Sequence, residues 1–463
     1  MRARHRCPPR AAQRGFTLVE LTVSLLAGLL VAMGIVALSR EATRTFHEEV
    51  RSSAAEAALR AAADRLRADL ERAGFMSTGN IAAFNIAGAP RIAHPRVATA
   101  NVPTGAPAGL QALMSLSLNP GGSVTANGLP LSAVQPQPLT PDILQISGNM
   151  TSADQFEIAS YQANYQQGCT RIWLVSNSPA IYRVIGSPQS STADADVRAL
   201  FLPMGANAST PFMVRVVDTS GCAQYLETCT LGGGAGMDGA NPYVDISANT
   251  PLVTAAITGN TCGVTGFGEG SVLNPIQTVQ WEITTQSATG DHAEPAAYTS
   301  SGFPVDATKY DLMRTFYDAT GHAVANSSEI IAEYAVDLSF AFSVDQGTAL
   351  APSIATFPFD DPNDNSPWAD PKQITINHGP ERIRSVQARI VTRASQADRS
   401  VQILLPTGGA NYTNPSGSEK FAYRYCMQGA GCPASNPTNA FIWARTRTIV
   451  IEAALPNQAG NFY

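Results

Sequence analysis

The sequence predicts an α+β fold: a long N-terminal α-helix packed on an enlarged, mostly antiparallel β body with loop-rich insertions. Three observations carry this expectation. An apolar run over residues 16–38 passes without a turn signal into an amphipathic stripe that stops at Gly74. Short segments rich in β-branched and aromatic residues, separated by turn residues, begin at Asp142. Residues 336–344 alternate apolar and polar with a period of two.

Composition bounds the rest. With 463 residues the chain has room for roughly three domains, or one large domain with insertions. Hydrophobic residues make up 44%, enough for a sizeable core, and charged residues only 14%, which excludes charge-driven disorder. The glycines and prolines show no Gly-X-Y period, so collagen is excluded. A net charge of −6 argues against a general nucleic-acid binder. Five arginines (Arg2, Arg4, Arg6, Arg10, Arg14) crowd the first 15 residues, which hold no acid. A positive head on an acidic body suggests a role in targeting or topology.

Residues 16–38 contain one charge, Glu20, and are long enough to cross a bilayer as a helix, which needs about 20 residues. The arginine-rich head is then expected on the cytoplasmic side and the body outside. A secretory signal peptide would have a shorter apolar stretch and a small-residue cleavage site. A plain membrane anchor is the other alternative. Glu20 speaks against it, because an acid at that depth costs roughly 2.5–3.5 kcal/mol and normally has a partner.

The stretch Gly15-Phe16-Thr17-Leu18-Val19-Glu20, behind a basic leader and ahead of an apolar helix, resembles the class III signal of type IV prepilins and type II secretion pseudopilins. The resemblance implies that a prepilin peptidase cuts after Gly15 and that Phe16 becomes the N-methylated first residue. Glu20 then matches the family's glutamate at the fifth mature position and forms an assembly charge pair. Physically, cleavage exposes a positive amine one helical turn from Glu20, and the two charges can neutralise each other in an apolar fibre core.

The chain accordingly divides into a leader (1–15), a transmembrane and assembly helix (16–38), and an amphipathic continuation (39–74). A periplasmic β-rich region with a loop-rich insertion (75–275) and a C-terminal β-rich region (276–463) follow. In the continuation, Leu59, Ala63, Leu66, Leu70 and Ala73 recur every three or four residues, while Arg60, Asp64, Arg65, Arg67, Asp69, Glu71 and Arg72 occupy the other faces. A helix over residues 16–73 would be about 87 Å long. Residues 75–140 read as irregular connections. Strands are expected at 142–146, 171–175, 180–185, 197–202 and 212–217.

Residues 218–275 shift to glycine, threonine and cysteine and read as a loop-rich insertion. Their glycine clusters, at 232–234 and 266–270, lack the Lys-Ser/Thr of a phosphate loop. At 336–344, Val336, Leu338, Phe340, Phe342 and Val344 should share one face of a half-buried strand. Residues 386–392 and 446–455 are similar, with Ile449, Ile451, Ala453 and Leu455 facing inward.

A second, looser resemblance lies in this half. Tyr310-Asp311-Leu312-Met313-Arg314, the stretch from Ile330 to Leu338, and that from Arg382 to Ile390 resemble the PilW group of minor pilins and the pseudopilin J group. The chain is much longer than a typical pseudopilin J, which favours PilW. The resemblance implies a pilin-like fold and a pilus-assembly function. It also implies other minor pilins, the major pilin and a large tip adhesin as partners.

Removal of Cys7 with the leader leaves Cys169, Cys222, Cys229, Cys262, Cys426 and Cys432. An even number on an exported body reads as disulfides. Short loops suggest Cys222–Cys229 and Cys426–Cys432, which leaves Cys169–Cys262. A zinc site is disfavoured because CxxC spacing is absent. Asp361, Asn363 and Asn365 match the start of a calcium loop, but Ser366 and Lys372 replace its glycine and its bidentate glutamate. This stretch reads as a solvated loop, with calcium as the alternative.

The six histidines are scattered and no nucleophile elbow occurs, so neither an enzyme nor a cofactor is expected. Nucleic-acid contact is not expected of this subunit. The functional expectation is a single-pass inner-membrane minor pilin with a periplasmic body. The alternatives are a type II secretion pseudopilin and an anchored periplasmic binding protein or adhesin that does not polymerise.

Overall fold

The structure is a computed structural model that describes residues 17–81, 106–119, 141–166, 168–202, 209–219, 221–230, 233–254, 266–284, 309–345, 353–357, 380–395, 424–426 and 443–459. The chain forms two compact units, Met1–Ala55 and Glu56–Tyr463.

The first unit holds most of the helix α1 (Leu18–Glu71). Apart from Glu20, Thr22 and Ser24 its side chains are apolar from Leu18 to Leu38, and the large apolar ones are all exposed. A helix hydrophobic all round has no single face to bury against a sheet, which is the pattern of a lipid-facing segment.

The second unit begins with the last turns of α1. Here the apolar residues narrow to a stripe, and Leu59, Ala62, Ala63, Leu66 and Leu70 are buried. Each of the three leucines contributes about 1.5–3 kcal/mol of burial. The helix stops where the stop signal predicts: Gly74 has φ +70°, and its amide donates to Ser147 O at 2.9 Å. Strand β2 (below) passes so close that a Cβ on Gly148 would lie 2.3 Å from Arg72 O.

After α1 come a short helix α2 (Ala108–Gln111), β1 (Leu116–Asn119), β2 (Ile143–Gly148), β3 (Phe156–Gln166) and β4 (Cys169–Leu174). Helices α3 (Pro179–Ile185) and α4 (Ala193–Phe201) follow. Then come β5 (Met213–Val217), β6 (Ala223–Glu227), β7 (Ala235–Asp238), β8 (Asn241–Ile246), β9 (Val272–Thr284), β10 (Asp311–Tyr317) and β11 (Glu329–Ala332). The chain continues with β12 (Ala335–Asp345), β13 (Ile354–Phe357), β14 (Ile383–Arg393), β15 (Arg424–Cys426), β16 (Trp443–Ala454) and the short helix α5 (Pro456–Ala459).

Among the described residues these strands make an 11-stranded and a 5-stranded sheet, antiparallel throughout. β9 is the hub of the larger sheet and pairs with β2, β3, β5 and β10. The smaller sheet runs β13-β12-β14-β16-β15. One core joins the stripe of α1 to both sheets, through Trp281 and Ile283 of β9, Phe340 and Phe342 of β12, Ile390 of β14 and Ile451 of β16. Asp142 ties the sheets together: its amide donates to Leu338 O at 2.8 Å, and its carboxylate accepts from Phe340 N at 3.1 Å. The fold is thus α+β, with an N-terminal apolar helix and a large antiparallel body.

Several local expectations are corrected. Residues 180–185 and 197–201 are helical instead of extended. Ser178 caps α3 by accepting from Ile181 N at 3.2 Å, Pro179 opens the helix, and Gly186 closes it at φ +63°. In α4, Ala193, Val197, Leu200 and Phe201 are buried along one stripe, and Asp194 pairs with Arg198 one turn on at 3.1 Å. Both segments are short apolar runs, which periodicity alone assigns poorly; the cap decides α3, and in α4 the buried stripe does.

Residues 218–275 are also not simply an insertion of loops. Their described part carries β6, β7, β8 and the start of β9. In β12 the register slips between Ala335 and Asp337. Val336 therefore leaves the face of Leu338 and packs with Val391 on the other side. β12 is buried on nearly both faces instead of one. In β16, Ile451, Ala453 and Leu455 face the core as the alternation predicts, with Ile449 packed against it.

Candidate functional site

The start of α1 is built from the sequence Thr17-Leu18-Val19-Glu20. Thr17 Oγ1 accepts from Glu20 N at 3.3 Å, and Glu20 Oε2 accepts from Thr17 N at 3.1 Å and from Thr17 Oγ1 at 3.0 Å. This is a reciprocal capping box, which satisfies two amides that a helix start leaves open. It also favours a negative charge at the positive end of the helix dipole. Glu20 therefore has a local partner within its own helix. The Thr-x-x-Glu spacing that makes the box is visible in the sequence.

Further along, Thr22 Oγ1, Ser24 Oγ and Thr43 Oγ1 donate to the helix's own carbonyls at 2.9, 3.0 and 2.8 Å. Hydroxyls bonded in this way make no demand on solvent, which suits an apolar surrounding. The 26 residues Leu18–Thr43 are long and apolar enough to cross a membrane, and none of the apolar window is buried. Gly15, Phe16 and Cys7 lie outside the described residues.

In the body, Asp69 was placed by the sequence pattern among the outward-facing polar residues. It is buried instead, with 5% of its surface accessible. Its carboxylate accepts two bonds from the Arg314 guanidinium, at 2.6 and 3.2 Å, and one from Trp281 Nε1 at 3.0 Å. All three groups come from different elements, so no local pattern announces the cluster. It binds the end of α1 to β9 and β10. The outward pair Arg65–Glu329 is looser, at 3.7 Å.

The cysteines pair differently from the short-loop expectation. Cys169 at the start of β4 is bonded to Cys229, with Cα atoms 6.1 Å apart and a sequence separation of 60. Cys222 is disulfide-bonded as well, but not to Cys229. The reason is sheet topology: β4 and β8 are hydrogen-bonded neighbours, and Cys229 N donates to Asp245 O of β8 at 2.6 Å. The pairings Cys222–Cys229 and Cys169–Cys262 are thereby excluded. Cys262 and Cys432 lie outside the described residues, as does the Cys426 side chain. The weak calcium candidates Asp361, Asn363 and Asn365 lie outside them too. Among the described residues no group of three or more His, Cys, Asp or Glu side chains could hold a metal ion.

Fold and site together define a class: an α+β protein with one N-terminal helix able to cross a membrane by length and composition, followed by a disulfide-bonded antiparallel body. No protein-family profile, curated protein or solved structure matches the chain.

Proposed function

We propose that the chain is a pilin-like protein, a minor pilin of the PilW group that primes or caps assembly of type IV pili from the bacterial inner membrane. One observation carries the reading. A basic leader and Gly15-Phe16-Thr17-Leu18-Val19-Glu20 run directly into an apolar helix of membrane-spanning length. The packing of the later turns of α1 on antiparallel strands supports it. In this reading prepilin peptidase cuts after Gly15 and Phe16 is methylated. The helix sits in the inner membrane with the body in the periplasm until the subunit enters the pilus or its tip. Other minor pilins and the major pilin dock along the helix, and a tip adhesin is the distal partner. The pilus would serve twitching motility, adhesion or DNA uptake.

Glu20 has two roles in this proposal. It caps its own helix through Thr17, and it offers its charge to a terminal amine. Expression with and without prepilin peptidase, followed by mass spectrometry of the N-terminus, tests the reading. The expected product begins at methylated Phe16, and a bulky residue in place of Gly15 leaves the leader attached. Cleavage beyond Leu38, or processing that ignores prepilin peptidase, overturns it.

A further inference from the structure

Strand β4 separates two kinds of surface. Ile172 and Leu174 point into the core formed with α3 and α4. Arg171 and Trp173 alternate onto the opposite face. There Trp173 lies level with Ser160 of β3 and Tyr243 of β8, and Arg171 with Gln162 and Asp245. This face is held by several polar and ring contacts. The Arg171 guanidinium is held by both oxygens of Asp245 at 2.8 Å and is stacked between the rings of Tyr165 (4.0 Å) and Tyr243 (3.7 Å).

Tyr165 meets Trp173 edge-on, with ring centroids 5.7 Å apart. Asp238 accepts from Trp173 Nε1 at 3.3 Å. The indole is thus fixed on one side while it remains half-buried instead of entering the core. It also lines a shallow groove of about 500 Å³ with Ser160, Ser176, Asn177 and Asn241.

The chemistry of this groove is selective. None of its lining residues is ionisable, and Asp238, held on Trp173 Nε1, is not among them. Ser160, Ser176, Asn177 and Asn241 supply hydroxyl and amide groups that both donate and accept. An immobilised aromatic face beside such groups matches a pyranose ring, which presents C–H bonds on one side and hydroxyls at its rim. An aromatic platform that is already held by its neighbours loses little freedom on binding.

We infer that this groove binds a neutral saccharide, with Trp173 as the stacking platform and Asn177, Asn241, Ser160 and Ser176 as the hydroxyl-reading groups. The inference rests on this sheet face alone and does not depend on the pilus reading.

The test uses the full chain in zwitterionic micelles, because sugar-headed detergents would compete. Hexasaccharides of glucose, mannose and N-acetylglucosamine are titrated by calorimetry, with a sulfated hexasaccharide alongside. At least one neutral oligomer should bind. Trp173→Ala should weaken that binding at least about tenfold, as expected for a central aromatic anchor. The double variant Asn177→Ala/Asn241→Ala changes only exposed positions, so it keeps the test informative if Trp173→Ala fails to fold; it should weaken binding severalfold. Failure of all three neutral oligomers to bind, preference for the sulfated one, or affinity unchanged in the double variant would overturn the inference.

Discussion

Residues 18–43 and 59–73 begin and end one helical stretch, yet they handle acids in opposite ways. In the first, apolar side chains lie on every face between Leu21 and Leu38, and among the described residues Glu20 is held by Thr17, three residues away in sequence. In the second, apolar residues form one stripe, and Asp69 reaches across more than 200 residues of chain to Trp281 and Arg314. An acid in an apolar helix needs a partner wherever it stands. A helix start supplies one from its own backbone, whereas a sheet-packed turn must recruit one from elsewhere in the fold.

The sharpest way to break this comparison is to remove Asp69. Asp69→Ala leaves Arg314 buried and unpaired, so thermal or denaturant unfolding of the body should show a loss of about 3–5 kcal/mol. The double variant Asp69→Leu/Arg314→Met should recover much of that loss, since a buried pair replaced by apolar groups of similar size is often nearly neutral. A double variant worse than either single one would mean that the pair matters for more than charge balance.

The disulfide extends the comparison to the sheet. A 60-residue loop closed by Cys169–Cys229 constrains the unfolded chain by about 4 kcal/mol in the loop-entropy account. Cys169→Ala/Cys229→Ala should lower the unfolding midpoint accordingly. Non-reducing peptide mapping should return Cys169–Cys229 and no Cys222–Cys229 peptide; the opposite result would refute the topology around β4 and β8.

At the helix start the effects are smaller. Thr17→Ala removes the hydroxyl of the capping box and should cost about 1 kcal/mol of helix stability. Glu20→Gln keeps a residue suited to the box while it removes the charge. Helicity measured by circular dichroism should therefore fall in Thr17→Ala and hold in Glu20→Gln. Assembly with other subunits should show the reverse if charge pairing is its basis. Equal behaviour of the two variants in both assays would remove the distinction drawn here between cap and charge.

The smallest effect concerns pH. Burial pushes the Glu381 carboxyl above its ordinary value, against opposing bonds and the charges of Arg382 and Arg384, and among the described residues its Oε2 has no hydrogen-bond partner. A raised folded-state value means that the folded chain holds the proton more tightly. This contribution is fully present below the ordinary glutamate range and is lost as pH rises through the folded value. Glu381→Gln should flatten the decline in melting temperature over that window. An unchanged pH profile would argue that Glu381 carries its charge without penalty.

Much of α1 was legible because its signals are local. The length of the apolar run, the narrowing to a stripe at Leu59, and Gly74 at the end each follow from neighbours three or four residues apart. The alternation in β16 was legible for the same reason. Helix α3 differs from the extended expectation although its evidence is local too: Ser178-Pro179 and Gly186 are capping residues, and they outweigh a run of β-branched side chains. Thr17 was likewise readable from its spacing to Glu20.

What the sequence by itself determined is the set of properties that depend on near neighbours: an α+β chain, one long helix with an apolar first half, and strands in the C-terminal half. Tertiary structure alone decided the partner of Asp69, the turning of Val336 toward Val391, the Cys169–Cys229 bond and the aromatic stack around Arg171. In each case the contacting groups lie on different strands or helices, and their meeting depends on register and on which strands neighbour each other. A one-residue slip reverses the face of every side chain, so composition and spacing cannot specify such contacts until the sheet is assembled.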